Sequence, residues 1–308
     1  MPDIAIQITN LTKSYAGVKA LRGVSLTIPQ GCFFGLLGPN GAGKTTTINI
    51  LTGLVFREMG STEVFGRDTV KDFRFTRSKI GIAAQELSVD WFFPIERLLL
   101  FHAGYYGIPK KQAQKRVNYL LETLGLAGKR EARLRQLSGG MKRRFQLAKA
   151  LVHDPEIIIL DEPTAGVDVE LRHELWDLLR SLHQGGKTIL LTTHYIEEAE
   201  LLCKKVAIID KGKVIAQDSP QALTRQLGRA GINIHLSQVP DTLPEVLGDF
   251  TYTVVDNRLH FTVQDPDLVL PNIITTLVNH GAHIHSVTTE KSSLEDVFLS
   301  MTGKGINE

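Results

Sequence analysis

The stretch Gly38-Pro39-Asn40-Gly41-Ala42-Gly43-Lys44-Thr45 follows an apolar run over residues 33–37 and opens a helical pattern near Lys44. It fits the template G-x-x-x-x-G-K-[ST], in the strand-to-helix setting that template requires. Each letter has a physical reason. Glycines let backbone N–H groups close around an anion, and the following helix aims its positive dipole end at that anion. Lys44 adds a point charge. Thr45, followed by Thr46, places a hydroxyl where it can hold a Mg²⁺ that bridges terminal phosphates.

Outward from this loop, short strand-like runs alternate with helical patterns: 32–37 then 45–56, 157–160 then 170–183, 188–192 then 196–203. Such alternation indicates a largely parallel sheet covered by helices. The run Ile157-Ile158-Ile159-Leu160 ends in Asp161 and Glu162, at the strand end where open parallel sheets place their ligand sites. Side chains alternate along a strand, so one carboxylate can serve a metal while its neighbour reaches water. Asp161 is expected on Mg²⁺, and Glu162 as the general base for an attacking water. Between these units, helical patterns at 95–107, 110–124 and 131–137 read as an insertion.

Residues 1–229 carry 32 basic and 23 acidic side chains, whereas 230–308 carry 3 and 10. The change of sign suggests a domain boundary near 228–231. Beyond it the order is strand (232–236), short helix (243–247), strands (252–255 and 259–263), helix (268–280), strand (283–288) and a last helix (293–301). That order is ferredoxin-like. The expected fold class is therefore α/β: a P-loop NTPase domain over 1–229 with a helical insertion at about 86–150, plus a small C-terminal α+β ferredoxin-like domain over 230–308. Hydrophobic residues at 43% and charged ones at 22% suit a globular chain. No run nears the roughly 18 apolar residues of a spanning helix, and the first ten residues lack a secretory pattern. Cys32 and Cys203 lack metal or redox spacing and read as small buried thiols.

A phosphate loop with an acidic strand end describes many NTPases, and the next residues narrow the choice. Leu137-Ser138-Gly139-Gly140-Met141 resembles the signature motif of ABC ATPases, ahead of the acidic strand as in that family. The resemblance extends to Gln85 (the Q-loop glutamine), Ala165-Gly166-Val167-Asp168 (the D-loop), His194 (the switch histidine) and Tyr15, an aromatic that suits adenine stacking or ordinary packing. It covers residues 4 to about 220. Met141 in place of glutamine, Ala84 in place of proline and Gly166-Val167 in place of alanine-leucine depart from the pattern without removing a catalytic side chain.

The resemblance implies an ATPase in which Lys44 and Thr45 hold the β- and γ-phosphates and Mg²⁺, Gln85 completes the metal shell, Glu162 polarises water and His194 steadies the γ-phosphate. Ser138, Gly139 and Gly140 would offer a second helix end to ATP on another copy of the chain, giving a head-to-tail dimer. The stretches Gly-Gly-Met-Lys-Arg-Arg and Thr-Thr-His-Tyr-Ile-Glu-Glu-Ala-Glu are similar to one branch, the ATPases of daunorubicin-type drug-export systems, and the C-terminal tail is similar to that branch's extension. Export through a separate membrane permease is the implied function, at the cytoplasmic face of the inner (plasma) membrane. An importer subunit is the nearer alternative. A soluble ABC protein on ribosomes or nucleic acid is the farther one, disfavoured by a single cassette without a long coiled coil, so no nucleic-acid partner is expected. In the family, a short permease helix docks just after Gln85, where Trp91-Phe92-Phe93 stand; a buried core would explain them equally well. His280, His283 and His285 lie close in sequence, at a helix end and on a strand without a cysteine nearby, and read as structural rather than metal-binding.

Overall fold

The computed structural model describes residues 3–84, 90–227, 230–239, 247–248, 250–263, 265–290, 293–303 and 305. Alternating apolar residues draw the first segment into a hairpin: β1 (Ile4–Tyr15) pairs antiparallel with β2 (Val18–Pro29) and buries Ile6, Ile8, Val24, Leu26 and Ile28. β3 (Phe33–Leu37) is buried along its whole length and passes through the glycine-rich loop into α1 (Lys44–Leu51). This helix stops short of the expected residue 56. Gly53 takes φ +75°, and the N–H groups of Leu54 and Val55 turn back to the Asn49 carbonyl at 2.8 and 3.0 Å. β4 (Met59–Val64) and β5 (Arg67–Asp68) complete a four-stranded sheet in the order β2-β1-β4-β5.

α2 (Phe73–Lys79) leads into β6 (Ile80–Ala83), after which come α3 (Ile95–Tyr105) and α4 (Lys110–Thr123). Both of these helices follow a proline, Pro94 and Pro109, whose fixed φ suits a helix entry. Residues 131–137, expected to be helical, form only a 3-10 turn at Leu134–Gln136. α5 (Gly139–Leu151) then packs on β6.

The chain continues through β7 (Ile157–Asp161), α6 (Val169–Gln184), β8 (Thr188–Thr193), α7 (Ile196–Leu202), β9 (Lys205–Asp210) and β10 (Lys213–Asp218). The second sheet has the order β10-β9-β3-β8-β7-β6 and is parallel from β9 to β6. Every residue of β3, β7 and β8 is buried, as in a sheet covered on both faces. Register aligns their carboxyl ends, with Leu37 beside Thr193 and Asp161 beside Thr192. The glycine-rich loop, the acidic pair and His194 therefore emerge at one edge of the sheet.

Two compact units divide between Gln217 and Asp218, ahead of the charge reversal at 228–231. The difference has a packing cause: α8 (Pro220–Leu227) lies against the last helix of the second unit. That unit contains β11 (Ala230–Leu236), β12 (Thr251–Val255), β13 (Arg258–Val263), α9 (Pro266–Asn279), β14 (Ile284–Glu290) and α10 (Leu294–Thr302). Its antiparallel sheet runs β12-β13-β11-β14, the ferredoxin-like order. Ile232, Ile234, Leu259, Phe261, Ile273 and Leu277 form its core, each fully buried side chain contributing about 1.5–3 kcal/mol. The short helix expected at 243–247 falls on residues that, but for Leu247, lie outside those described. Among the described residues no group of three or more metal-ligating side chains occurs, and no helix is long and apolar enough to cross a membrane.

Candidate active site

Backbone sterics set the phosphate loop. A Cβ on Gly38 would sit 2.2 Å from the Ile209 carbonyl oxygen, so the chain leaves β3 in a space that only glycine fits. Gly41 and Gly43 take φ +79° and +109°, a region open to glycine at little cost. The loop and α1 line a cavity of about 360 Å³ bounded by Ala20, Pro39, Asn40, Gly41, Gly43, Lys44, Thr45, Thr46 and Glu162. Gly38 and Ala42 complete the loop beneath it. Tyr15 is not among the lining residues; it is 44% exposed at the end of β1, with Lys13 Nζ 5.4 Å from its ring centroid.

Lys44 is buried and donates to the carbonyls of Gly38 (2.6 Å) and Pro39 (3.2 Å), and its Nζ stands 3.2 Å from Glu162 Oε1. Burial pushes the ammonium below its usual range, against the opposing pull of Glu162 and Asp161.

β7 delivers both acids in different ways. Asp161 is buried and accepts from Thr192 Oγ1. Glu162 leaves the strand at φ +49°, a costly conformation for a residue with a side chain. Surrounding contacts enforce it: its N–H donates to the Thr192 carbonyl at 3.1 Å, and its carbonyl accepts from Arg143 Nη2 at 2.9 Å. His194 Nδ1 lies 3.3 Å from Glu162 Oε1 without hydrogen-bonding geometry. The fold thus brings Lys44, Glu162 and His194 together. Gln85 lies outside the described residues.

Arg143 and Gln146 are site neighbours that the sequence reading missed. Arg143 Nη1 donates to Gln146 Oε1 at 2.8 Å, and Gln146 Nε2 to the Ala84 carbonyl at 2.9 Å. Together they bind α5 to the ends of β6 and β7. Burial lowers the Arg143 pKa, opposed by Asp161 and Glu162. The available signal was two polar residues three apart on the face of α5 that also carries buried Ala150.

A second cavity, about 430 Å³, is lined by the start of α5 (Ser138, Gly139, Gly140) and by Ala165, Gly166, Val167 and Asp168, among others. Ser138 Oγ caps α5 by accepting from the Met141 N–H at 3.3 Å, and Asp168 caps α6 through the Leu171 N–H at 2.9 Å. A Cβ on Gly140 would meet Leu171 Cδ2 at 2.2 Å, so glycine keeps this helix end close to α6. The two cavities share no lining residue. A third, of about 450 Å³, is lined by Asp90, Phe93, Leu98, Phe101, His102, Tyr105, Phe145 and Lys149. Trp91 and Phe92 nearby are 42% and 72% exposed, so they are not buried core.

Residues 21–165 match the model of the ABC transporter family, and residues 219–302 match the C-terminal domain of ATP-binding proteins like DrrA1-3. The whole chain aligns at 38% identity with the whole of a Nod factor export ATP-binding protein I of Burkholderia lata. The chain belongs to the ABC transporter ATPase family. Among solved structures, the ATPase domain is similar to cbiO1 from Clostridium perfringens, part of an ABC transporter complex (30% identity, TM-score 0.65, covering 73% of this chain and 92% of that one). It is also similar to a dimeric ATP-binding cassette in a post-hydrolysis state bound to ADP and Pi (26% identity, TM-score 0.65, covering 70% and 98%). This ABC ATPase binds nucleotide and hydrolyses ATP.

Proposed function

We propose that the chain is the motor of an ABC exporter, working as two copies that close head to tail on two ATP molecules beneath a separate membrane permease. The observation that carries this reading is the separation of the two anion-friendly surfaces. The loop cavity around Lys44 and the α5 end around Ser138 share no lining residue, so the chain does not set its own α5 end on its own phosphate loop. A second copy, turned head to tail, sets its Ser138-Gly139-Gly140 end over the phosphates held by Gly38 to Thr46 of the first, and each site becomes water-excluded only on closure.

Within each site Lys44 binds the phosphates and Glu162, released by them, holds the attacking water and takes its proton. His194 stands beside Glu162, where it steadies the γ-phosphate, and Tyr15 stacks on adenine. The Thr45 hydroxyl, the Asp161 carboxylate and Gln85 are oxygen donors that would hold Mg²⁺, a hard cation that prefers such ligands. When bound it neutralises charge on the terminal phosphates. The cavity beside exposed Trp91 and Phe92 suits a short permease helix, with aromatic anchors at its rim. On this reading the ATPase works peripherally at the cytoplasmic face of the inner membrane.

Relatives named for export, and the match to a DrrA-like C-terminal domain, favour an exporter over an importer subunit or a protein acting on ribosomes or nucleic acid. Light scattering of the full chain with Mg²⁺ and a non-hydrolysable ATP analogue tests the core claim. A dimer that requires nucleotide, and that is lost in Ser138→Glu, where a carboxylate would face phosphate, is expected. A monomer that hydrolyses ATP at full rate overturns it.

A further inference from the structure

Glu198, on α7, is fully buried, and no cation accompanies it among the described residues. A buried carboxyl is costly unless its oxygens are satisfied. Here neutral donors from three segments converge on it. Oε1 accepts from the Thr164 hydroxyl and from Trp176 Nε1 at 3.2 Å; Oε2 accepts from Thr193 Oγ1 at 2.6 Å. The Thr193 hydroxyl in turn accepts from the Tyr195 N–H at 2.9 Å, so His194 is bracketed by one chain of hydrogen bonds. On the other side, Thr164 lies two residues after Glu162, in a turn closed by the Ala165 N–H on the Glu162 carbonyl at 3.2 Å. Ala165 to Asp168 then line the second cavity.

We infer that Glu198 is a positioning residue that holds the turn carrying His194 in register with the turn carrying Glu162, and so links the phosphate site to the Ala165–Asp168 wall that would face the other copy. The inference rests on the roles given above to Glu162 and His194. An apolar residue at 198 would leave three buried donors unpaired, so the carboxyl serves the register of these turns rather than the packing alone. It lines neither cavity and acts only through its neighbours.

Glu198→Gln isolates one arm of the network. Its amide oxygen goes to the end with two donors, Thr164 and Trp176, and its NH₂ reverses the third bond, donating to the Thr193 hydroxyl, which loses its carboxylate acceptor and is held less tightly. Thr193→Val deletes the same link while keeping Glu198 on its other two donors. In the full chain each variant is expected to lower kcat about tenfold with KM for ATP within about twofold, because geometry at the reacting atoms is disturbed and nucleotide contacts are not. In a His194→Ala background either change should alter kcat by less than about twofold, since residues acting as one unit are not additive. Wild-type kcat in both single variants, or a full tenfold loss persisting without His194, overturns the inference. Wild-type turnover by His194→Ala alone overturns the role of His194 and this inference with it, whereas an impaired His194→Ala beside silent Glu198 and Thr193 variants overturns this inference only. Thr193→Val carries the same readout should Glu198→Gln not fold.

Discussion

Replacing Glu162 by Gln should move the stability of the nucleotide-free protein and its catalysis by separate, calculable amounts. Without nucleotide, Glu162 is the anion opposite a buried Lys44, whose side chain is 5% exposed, at 3.2 Å. Glutamine keeps the shape and an oxygen acceptor for Lys44 but removes the charge. Leaving a buried ammonium without its anion costs about 3–5 kcal/mol, and the bond that the amide oxygen still accepts from it returns about 1.5–3, so the net loss is about 1.5 kcal/mol. For a unit of this size that lowers Tm by roughly 3–6 °C. On the proposed mechanism phosphate replaces the carboxylate as the partner of Lys44 in the nucleotide complex, so ATP affinity should hold and saturating ATP should restore most of the lost stability. Catalysis follows a different rule. Loss of a general base lowers turnover about 10²–10⁴-fold, which is roughly 3–5 kcal/mol of barrier, and the ATP-bound dimer should persist. Thermal melts with and without ATP, fluorescent-nucleotide titration and phosphate release measure the three quantities. Turnover within about tenfold of wild type would falsify the assignment of Glu162 to water activation, and a nucleotide-free Tm that rises would deny its support of Lys44.

Two more outcomes follow from the geometry. Gly38→Ala forces a methyl against the Ile209 backbone oxygen, costing about 3 kcal/mol and abolishing nucleotide binding, whereas Gly41→Ala, at φ +79° in open space, should cost only about 1 kcal/mol; melts and binding titrations of the pair rank them. Burial lowers the pKa of both His102 and His153 from 6.5 to about 4, with Lys149 also opposing the charge at His102. The native protein then binds fewer protons than the unfolded chain between these values, so stability falls as pH drops from about 6.5 towards 4. His153→Phe, which keeps the stack on Tyr106, should flatten that slope in urea melts at stepped pH, and an unchanged slope would refute the assignment.

The phosphate loop, the acidic pair and His194 were legible because each depends on local order: glycines after an apolar run, carboxylates at a strand end, a histidine after another. Their chemistry is written in residue type and spacing, and the alternation of strands and helices states that a parallel sheet will bring strand ends together. The C-terminal ferredoxin-like order was legible for the same reason, since β11, β13 and α9 have clean periodicity. Other features depended on contacts between segments far apart in the chain. The pairing of β1 with β4 joins segments separated by the phosphate loop and α1, and no local pattern declares it.

Glu198 makes the contrast plain. In sequence it is one of two acids in the first turn of α7, a common way to favour a helix dipole. Only the fold buries it under Trp176 and between Thr164 and Thr193, residues 22, 34 and 5 positions away. The same holds for Arg143 on the Glu162 carbonyl, and for the unit boundary, which follows the packing of α8 on α10 rather than the change of charge at 228–231. The sequence by itself determined which groups meet phosphate, because backbone sterics, dipole direction and charge act over a few residues. Tertiary structure alone decided how those groups are held in register, because a buried polar atom takes whichever donor the fold places within reach.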